Sequence, residues 1–293
     1  MKAAEFDYAR PATVEEACRL LDGAAGDGKI IAGGQTLVPL LVMRLARPTL
    51  VIDINRIAEL QGIAANDDGV TIKAATRQAD VLADTAIDQR LPLLIKGLRL
   101  VGHPQTRNRG TIGGSLANAD PAAEMCLVAR TLDAELTAQS TKASRQIAMR
   151  EFCAGAMTTD LTAEECLTAI RFPVWREKRV GTGFTEMSIR QSDFALVAAS
   201  CQLVLDNDGV CRKLALGIGG AEPSPVRATA AETRLVGTKL EASDVDAAID
   251  ALQQALEPLS DMHASADYRR RVAGALAARV IAEARDEALK VSA

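Results

Sequence analysis

Two short segments constrain this chain more than any other part of it: Ala32-Gly33-Gly34-Gln35-Thr36 and Thr111-Ile112-Gly113-Gly114-Ser115. Each sets paired glycines after an apolar stretch, with a hydroxyl residue close behind. Glycine reaches positive φ and lets the backbone approach a ligand with no Cβ in the way. Successive backbone N–H groups then form an anion-binding concavity, and a helix beginning near Leu37 adds its positive end. The ligand that suits such a surface is a pyrophosphate flanked by sugar hydroxyls, with Thr36, Ser115 and Asn118 as short polar donors. Gly-Gly is also ordinary turn chemistry, and most such pairs bind nothing. Two of them in one domain, about 80 residues apart, weigh toward a shared ligand.

Other features narrow the choice. Neither segment fits the dinucleotide-binding fingerprint or the P-loop, and Gly217-Ile218-Gly219-Gly220 fails too, because Glu222 stands at the third glycine position and no helix follows at once. A net charge of −4 argues against nucleic acid. Any phosphate must therefore be held by local geometry. The six cysteines show no Cys-x-x-Cys spacing, so neither zinc nor an iron–sulfur cluster is signalled. With only His103 and His263, a histidine-based metal site or triad is disfavoured. The richest apolar run, Leu37 to Leu45, contains Pro39 and Arg44 and falls well short of the roughly 18 residues of a membrane span. The opening residues carry no apolar signal region. A cytoplasmic protein without a transmembrane segment is expected.

The pattern along the 293 residues predicts an α+β chain. Thr13 and Glu16 form a capping box ahead of a helix, Lys29 to Ala32 and Leu50 to Ile54 read as buried strands, and Leu37 to Leu45 reads as a helix between them. Gly69 to Ala75 alternates as a strand, with helices near Gln78–Asp84 and Leu91–Leu100. Val101 to Ala119 lacks periodicity and reads as a long functional loop. Asp120-Pro121 predicts a new helix, with Asp as N-cap. After Pro173 come three consecutive strands, Gly183–Ile189, Phe194–Leu205 and Val210–Ile218, then helices over Arg227–Leu235, Ala242–Leu256 and Ala264–Leu289. This change of character places a domain boundary near Arg176. Asp120 and Glu124, at a helix start, are placed to accept hydrogen bonds from ribose or ribityl hydroxyls. A plain N-cap with a first-turn acid accounts for them almost as well.

These residues resemble the FAD-binding medium subunit of the xanthine dehydrogenase and carbon monoxide dehydrogenase family of molybdenum hydroxylases. Carrying the resemblance are Phe6-Asp7-Tyr8-x-Arg10-Pro11-x-Thr13, Ile31 to Leu37, Arg107-x-x-Gly110-Thr111 through Asp120-Pro121-x-x-Glu124, Asp193-Phe194-Ala195, and Tyr268-Arg269. The resemblance implies a vanillyl-alcohol-oxidase-type (PCMH-type) FAD-binding domain over 1–176, in two α/β subdomains of about 1–55 and 56–176. A C-terminal α+β domain of the CO dehydrogenase flavoprotein type, a three-stranded antiparallel sheet plus helices, would occupy 177–293. By matching position, noncovalent FAD would be held by Ile31, Ala32, Gly33, Gly34, Gln35, Thr36 and Leu37 in the first segment. The second would contribute Arg107, Thr111, Ile112, Gly113, Gly114, Ser115, Asn118, Asp120 and Glu124. Leu167 would pack near the flavin and Phe194 would lie by its ring.

The family also implies partners: a small [2Fe-2S] subunit and a large molybdopterin subunit, in a dimer of heterotrimers. This chain would then pass electrons from the clusters through FAD to an external acceptor and would need no catalytic residue of its own. A free-standing FAD-dependent oxidase of the same fold and a scaffold that has lost its flavin are the alternatives. Departures from the family pattern are Thr185-Glu186 where a lysine is often found, and the lack of a cysteine-rich insertion. His103 matches no site of covalent flavin attachment.

Overall fold

A computed structural model of the chain describes residues 2–190 and 192–291. Its first unit starts with strand β1 (Asp7–Ala9) and turns into helix α1 (Val14–Gly23) at the expected cap. Thr13 Oγ1 accepts from the Glu16 amide at 3.2 Å, while the Glu16 carboxylate accepts from the Ala12 amide at 2.7 Å. Val14, Ala17, Cys18 and Leu21 form the buried stripe of α1. Strand β2 (Gly28–Ile31), helix α2 (Leu37–Val42) and strand β3 (Leu50–Asp53) follow. The three strands form a parallel sheet of order β1-β3-β2. Helix α2 ends at Val42 rather than continuing to Leu45, because Met43 closes its last turn and Arg44 takes a φ of +60°.

The second unit is a five-stranded antiparallel sheet with helices packed on it. Strands β4 (Ile63–Ala65) and β5 (Gly69–Lys73) lead into six helices: α3 (Gln78–Ala83), α4 (Thr85–Arg90), α5 (Pro92–Leu100), α6 (Pro104–Arg109), α7 (Ile112–Asn118) and α8 (Glu124–Thr131). Strands β6 (Glu135–Gln139) and β7 (Ser144–Ala148) come next, then α9 (Met149–Phe152) and the small hairpin β8 (Cys153–Gly155) with β9 (Thr158–Thr159). Strand β10 (Cys166–Pro173) returns to the middle, giving the order β4-β5-β10-β6-β7. Leu93, Leu94, Leu98, Phe152 and Phe172 are among its fully buried side chains.

Two expectations change here. The stretch 101–119 is not a loop but the helices α6 and α7, broken at Gly110. Proline opens α6 and the Thr111 side chain caps α7, yet six- and seven-residue helices are too short to display an apolar stripe. Nor does the next helix start at Asp120. Its Oδ1 accepts from the Ala122 amide at 2.9 Å and its carbonyl from the Ala123 amide at 3.0 Å, so a side-chain-closed turn delays α8 until Glu124.

The third unit has long antiparallel strands β11 (Val180–Met187), β12 (Val197–Leu205) and β13 (Cys211–Gly219), and a two-residue edge strand, β14 (Val226–Arg227). Asp206 to Gly209 turns between β12 and β13 as the sequence suggests, with Gly209 at a φ of +78°. Helices α10 (Thr229–Leu235), α11 (Ala242–Ala255) and the 25-residue α12 (Ala266–Lys290) complete the chain. No helix among the described residues is long and apolar enough to cross a membrane.

All nine residues of β12 are buried. Val197, Ala199, Cys201 and Leu203 join the cluster under α12, whereas Ala198 belongs to the core of the second unit. On that second face Ser200 Oγ and Thr131 Oγ1, from α8, lie 2.6 Å apart. Polar clasps reinforce the contact: Lys96 Nζ donates to the Thr182 carbonyl and to Glu287 Oε2, both at 2.6 Å. Arg227 Nη1 reaches Asp133 Oδ2 at 2.7 Å.

Helix α12 lies so close to β11 that side chains are excluded between them. A Cβ on Gly181 would strike the Ala284 carbonyl and come within 2.7 Å of the Ala288 nitrogen, both backbone atoms. Gly181→Ala should therefore destabilise the chain by about 1–3 kcal/mol, the usual cost of overpacking. Gly155→Ala, where a Cβ meets nothing within 4 Å, should stay within about 0.5 kcal/mol of wild type. Urea denaturation of the two variants checks this; equal midpoints would show that α12 can move away freely.

Candidate functional site

Strand β2 delivers the chain into the first glycine segment. The Ile31 carbonyl accepts from the Ile54 amide at 3.2 Å, and the Ala32 carbonyl accepts from Asn55 Nδ2 at 2.7 Å. A Cβ on Gly33 would fall 2.5 Å from the Arg109 carbonyl oxygen and 2.8 Å from Gly110 Cα. Only glycine lets the segment touch the end of α6. Gly34 follows at a φ of +71°, in the left-handed region that side chains rarely enter. Its carbonyl accepts from the Val38 amide at 3.0 Å, that of Thr36 accepts from the Leu40 amide at 3.2 Å, and Gln35 Nε2 donates to the Gly33 carbonyl at 3.1 Å.

The amides of this segment are free. Among the described residues, the N–H groups of Gly33, Gly34, Gln35, Thr36 and Leu37 have no protein acceptor. Gly33, Gly34 and Gln35 line a cavity of about 430 Å³, whose walls also include Tyr8, Asp53, Asn55 and Arg109. With six residues, α2 contributes little as a macrodipole. The donors themselves are what the cavity presents.

The second segment behaves differently. Thr111 is the N-cap of α7, and its Oγ1 accepts from the Gly114 amide at 3.0 Å. The Ile112 amide donates to the Thr76 carbonyl at 3.1 Å, that of Gly113 to the Ala74 carbonyl at 2.9 Å, and that of Ser115 to the Thr111 carbonyl at 3.1 Å. These donors are satisfied within the chain, contrary to the expectation of two equivalent anion-binding concavities. Glycine is needed here for packing: a Cβ on Gly113 would lie 2.5 Å from Ala74 Cβ. A Cβ on Gly114 would reach to 3.7 Å from Ala32 Cβ, so the two segments are neighbours and residues 31–37 and 111–115 are brought together.

The remaining expected residues are dispersed. Arg107 Nη1 donates to the Val101 and Gly102 carbonyls, both at 2.8 Å, and so braces the turn into α6. Asn118 makes a long contact of 3.7 Å to Met157 Sδ. Leu167 is buried within the core of the second unit, and Phe194 is 73% exposed in the connection between β11 and β12.

Sequence reasoning missed a polar relay under the cavity. The Tyr8 hydroxyl donates to Asp53 Oδ2, and Asp53 Oδ1 accepts from the amide and the side chain of Asn55, at 2.9 and 2.6 Å. Asn55 Oδ1 accepts from Arg77 Nη2 at 2.6 Å, and Arg77 Nη1 donates to the Arg109 carbonyl. Burial alone would push the Asp53 carboxyl up. Donation by Tyr8 and Asn55 and the charge of Arg10, 3.6 Å away, outweigh it and hold the group below its ordinary value. A carboxylate closing the apolar run Leu50-Val51-Ile52 was the available signal.

Glu124 and Glu186 form a second electrostatic feature, where α8 meets the end of β11. Burial pushes Glu124 up to about 7, and the charges of Glu186 and Asp120 add to the shift. Burial likewise raises Glu186 to about 7, and its Oε2 has no hydrogen-bond partner among the described residues.

Comparison with known proteins bears on this geometry. Residues 4–175 match the family described as the FAD binding domain in molybdopterin dehydrogenase, and residues 182–284 match the CO dehydrogenase flavoprotein C-terminal domain. The chain is 39% identical over 284 residues to the alpha subunit of a 6-hydroxypseudooxynicotine dehydrogenase complex from Paenarthrobacter nicotinovorans, covering 97% of this chain and 96% of that one. Among solved structures, quinoline 2-oxidoreductase from Pseudomonas putida 86 superposes with a TM-score of 0.93 at 34% identity, over 99% of this chain and 100% of that one. A carbon monoxide dehydrogenase chain from Hydrogenophaga pseudoflava gives 0.94 at 31% identity, over 98% and 99%.

The carboxylate pair sets a pH dependence. Both groups sit above the ordinary value of 4.5, so the folded chain keeps protons that the unfolded chain loses between about pH 4.5 and 7. Their stabilising effect is complete below the unfolded value and fades as the pH rises through about 7. Glu124→Gln/Glu186→Gln should flatten the melting profile between about pH 5 and pH 8 and melt higher than wild type at the alkaline end, by roughly 2–4 °C per kcal/mol relieved. Parallel profiles in scanning calorimetry would show that the pair does not titrate in this range.

Proposed function

The chain belongs to the FAD-binding medium subunits of the molybdenum hydroxylases, the family of the xanthine and carbon monoxide dehydrogenases, and from that premise we propose that it carries one noncovalent FAD and serves as the electron-transfer subunit of a larger complex. The observation that carries this reading is the run of free backbone donors from Gly33 to Leu37 beside a cavity of about 430 Å³. The residues present fit the cofactor, since a segment that stays open only with glycine at 33 and 34 offers its N–H groups to an anion. In this reading Ile31 to Leu37 line the diphosphate, while Thr111 to Ser115 and Asn118 close the facing side. Asp120 and Glu124 accept from hydroxyls of the ribityl chain or ribose.

FAD supplies chemistry that the side chains lack, because it takes up electrons singly and delivers them in pairs. The chain binds the cofactor, orients it and limits access of water. Electrons would arrive from [2Fe-2S] clusters on a small subunit and leave to an external acceptor, with substrate oxidised at a molybdopterin cofactor on a large subunit. A dimer of heterotrimers in the cytoplasm is the assembly proposed. What supports a multi-subunit assembly is that relatives are named as one subunit of an enzyme: a nicotine 6-hydroxylase medium subunit and a carbon monoxide dehydrogenase medium chain. The division between the FAD-binding domain, 1–176, and the C-terminal domain, 177–293, falls in this reading between β10 and β11.

Two measurements test it. Acid precipitation of the purified chain should leave all the flavin in the supernatant as FAD; flavin in the pellet would mean a covalent link. In anaerobic stopped-flow, the isolated chain should show no rapid flavin bleaching with purines, N-heterocycles or aldehydes. Fast reduction by any of these would mark it as a free-standing oxidoreductase.

A further inference from the structure

Arg109 ends α6 and lines the same cavity as Gly33, Gly34 and Gln35. Its side chain is solvent-exposed, and its guanidinium has no acidic partner and no hydrogen-bond acceptor among the described residues. Its backbone, by contrast, is fixed. The carbonyl abuts Gly33, where a Cβ would fall 2.5 Å away, and it accepts from Arg77 Nη1. The other arm of Arg77 holds Asn55 Oδ1 at 2.6 Å, and Asn55 holds the Ala32 carbonyl at 2.7 Å. Arg109 is thus tied at its root to the first glycine segment, while its charged end is left without a partner.

A second cation sits beside it. Arg77 has no carboxylate within ion-pair distance among the described residues, and its acceptors, a carbonyl and an amide oxygen, carry no formal charge. Burial and the nearby charge of Arg109 both push the Arg77 guanidinium below its ordinary value. Asp53, the carboxylate in the cavity wall, is already engaged by Tyr8, Asn55 and Arg10. The charges of Asp80 and Asp53 offset the Arg77 shift only in part. The site therefore pairs free N–H donors with two arginines that have no ion-pair partner among the described residues, in a chain whose net charge is −4. A diphosphate satisfies both: its oxygens accept from the amides, and its charge meets a guanidinium whose planar fork matches phosphate geometry.

We propose that Arg109 is the cationic partner of the FAD diphosphate, an assignment that rests on the cofactor reading above. Sequence resemblance placed Arg107, two residues earlier, among the FAD-holding residues, but its Nη1 is tied to the Val101 and Gly102 carbonyls. Spacing on a short helix decides between them. Arg107 turns back toward the start of α6, whereas Arg109 reaches the far end, where the two glycine segments meet.

The test uses the full-length chain freed of flavin, with FAD binding followed by flavin fluorescence at about 50 and 300 mM salt and ADP as competitor. Arg109→Gln should weaken both FAD and ADP by about 10- to 100-fold, the effect of losing one charge-assisted contact. It should also flatten the salt dependence of FAD binding, because screening acts on the charge pair. Arg109→Lys should recover part of the affinity and most of the salt dependence. The flavin-free variants should melt with wild type, since the side chain is exposed. Arg109→Gln binding FAD within about twofold of wild type would overturn the assignment. So would a loss of affinity with the salt dependence unchanged, which would mark a purely structural effect. A wild-type chain that takes up no FAD would overturn the cofactor reading itself, and the assignment with it.

Discussion

Backbone meets backbone at Gly33, and the rest of the site depends on that contact. The first unit is a small parallel sheet with one helix stripe to bury, and the second is an antiparallel sheet carrying its own core. Their polar surfaces come together where a single missing methyl lets residue 33 rest against Arg109 and Gly110. Asn55 and Arg77 then lock the two chains in register through the Ala32 and Arg109 carbonyls. Because the contact is made by main-chain atoms, it holds the N–H groups of the neighbouring residues at fixed positions. A cavity bounded by fixed donors needs no reorganisation to receive an anion, which is the physical meaning of a preorganised site.

Much of this was legible in the sequence, for reasons that can be named. Capping at Thr13, the buried runs Lys29–Ala32 and Leu50–Ile54 and the turn Asp206–Gly209 are local signals, and each appears within a residue or two of its expected place. What the sequence concealed depends on partners far along the chain. Arg77 and Arg109 are ordinary surface arginines until folding sets them beside Asn55 and Gly33. Strands β6 to β10 gave little warning, because β10 owes its central place to pairing with β5 and β6 rather than to a turn of its own.

The two glycine segments show how one motif can serve two ends. Both look alike as dipeptides, but an amide can donate once. In the second segment the Ala74 and Thr76 carbonyls and the Thr111 side chain claim those donors, and the glycines serve to dock α7 on the end of β5. In the first the donors remain free. Accounting for each N–H separates the roles, where counting glycines does not.

Strand β12 has no free face, and this governs how the molecule comes apart. One side is pressed on α12 and the other on α8 and α5, so neither half of the chain owns the strand outright. Removing the N-terminal half would leave Phe184, Ala198 and Ser200 facing water on a broad apolar sheet, the kind of surface that drives aggregation. Removing the C-terminal half would strip the cover from Leu127, Thr131 and Gly97 of the flavin-side core. The two halves are therefore poor candidates for separate expression or exchange between relatives, and heat should dismantle them in a single cooperative event rather than two.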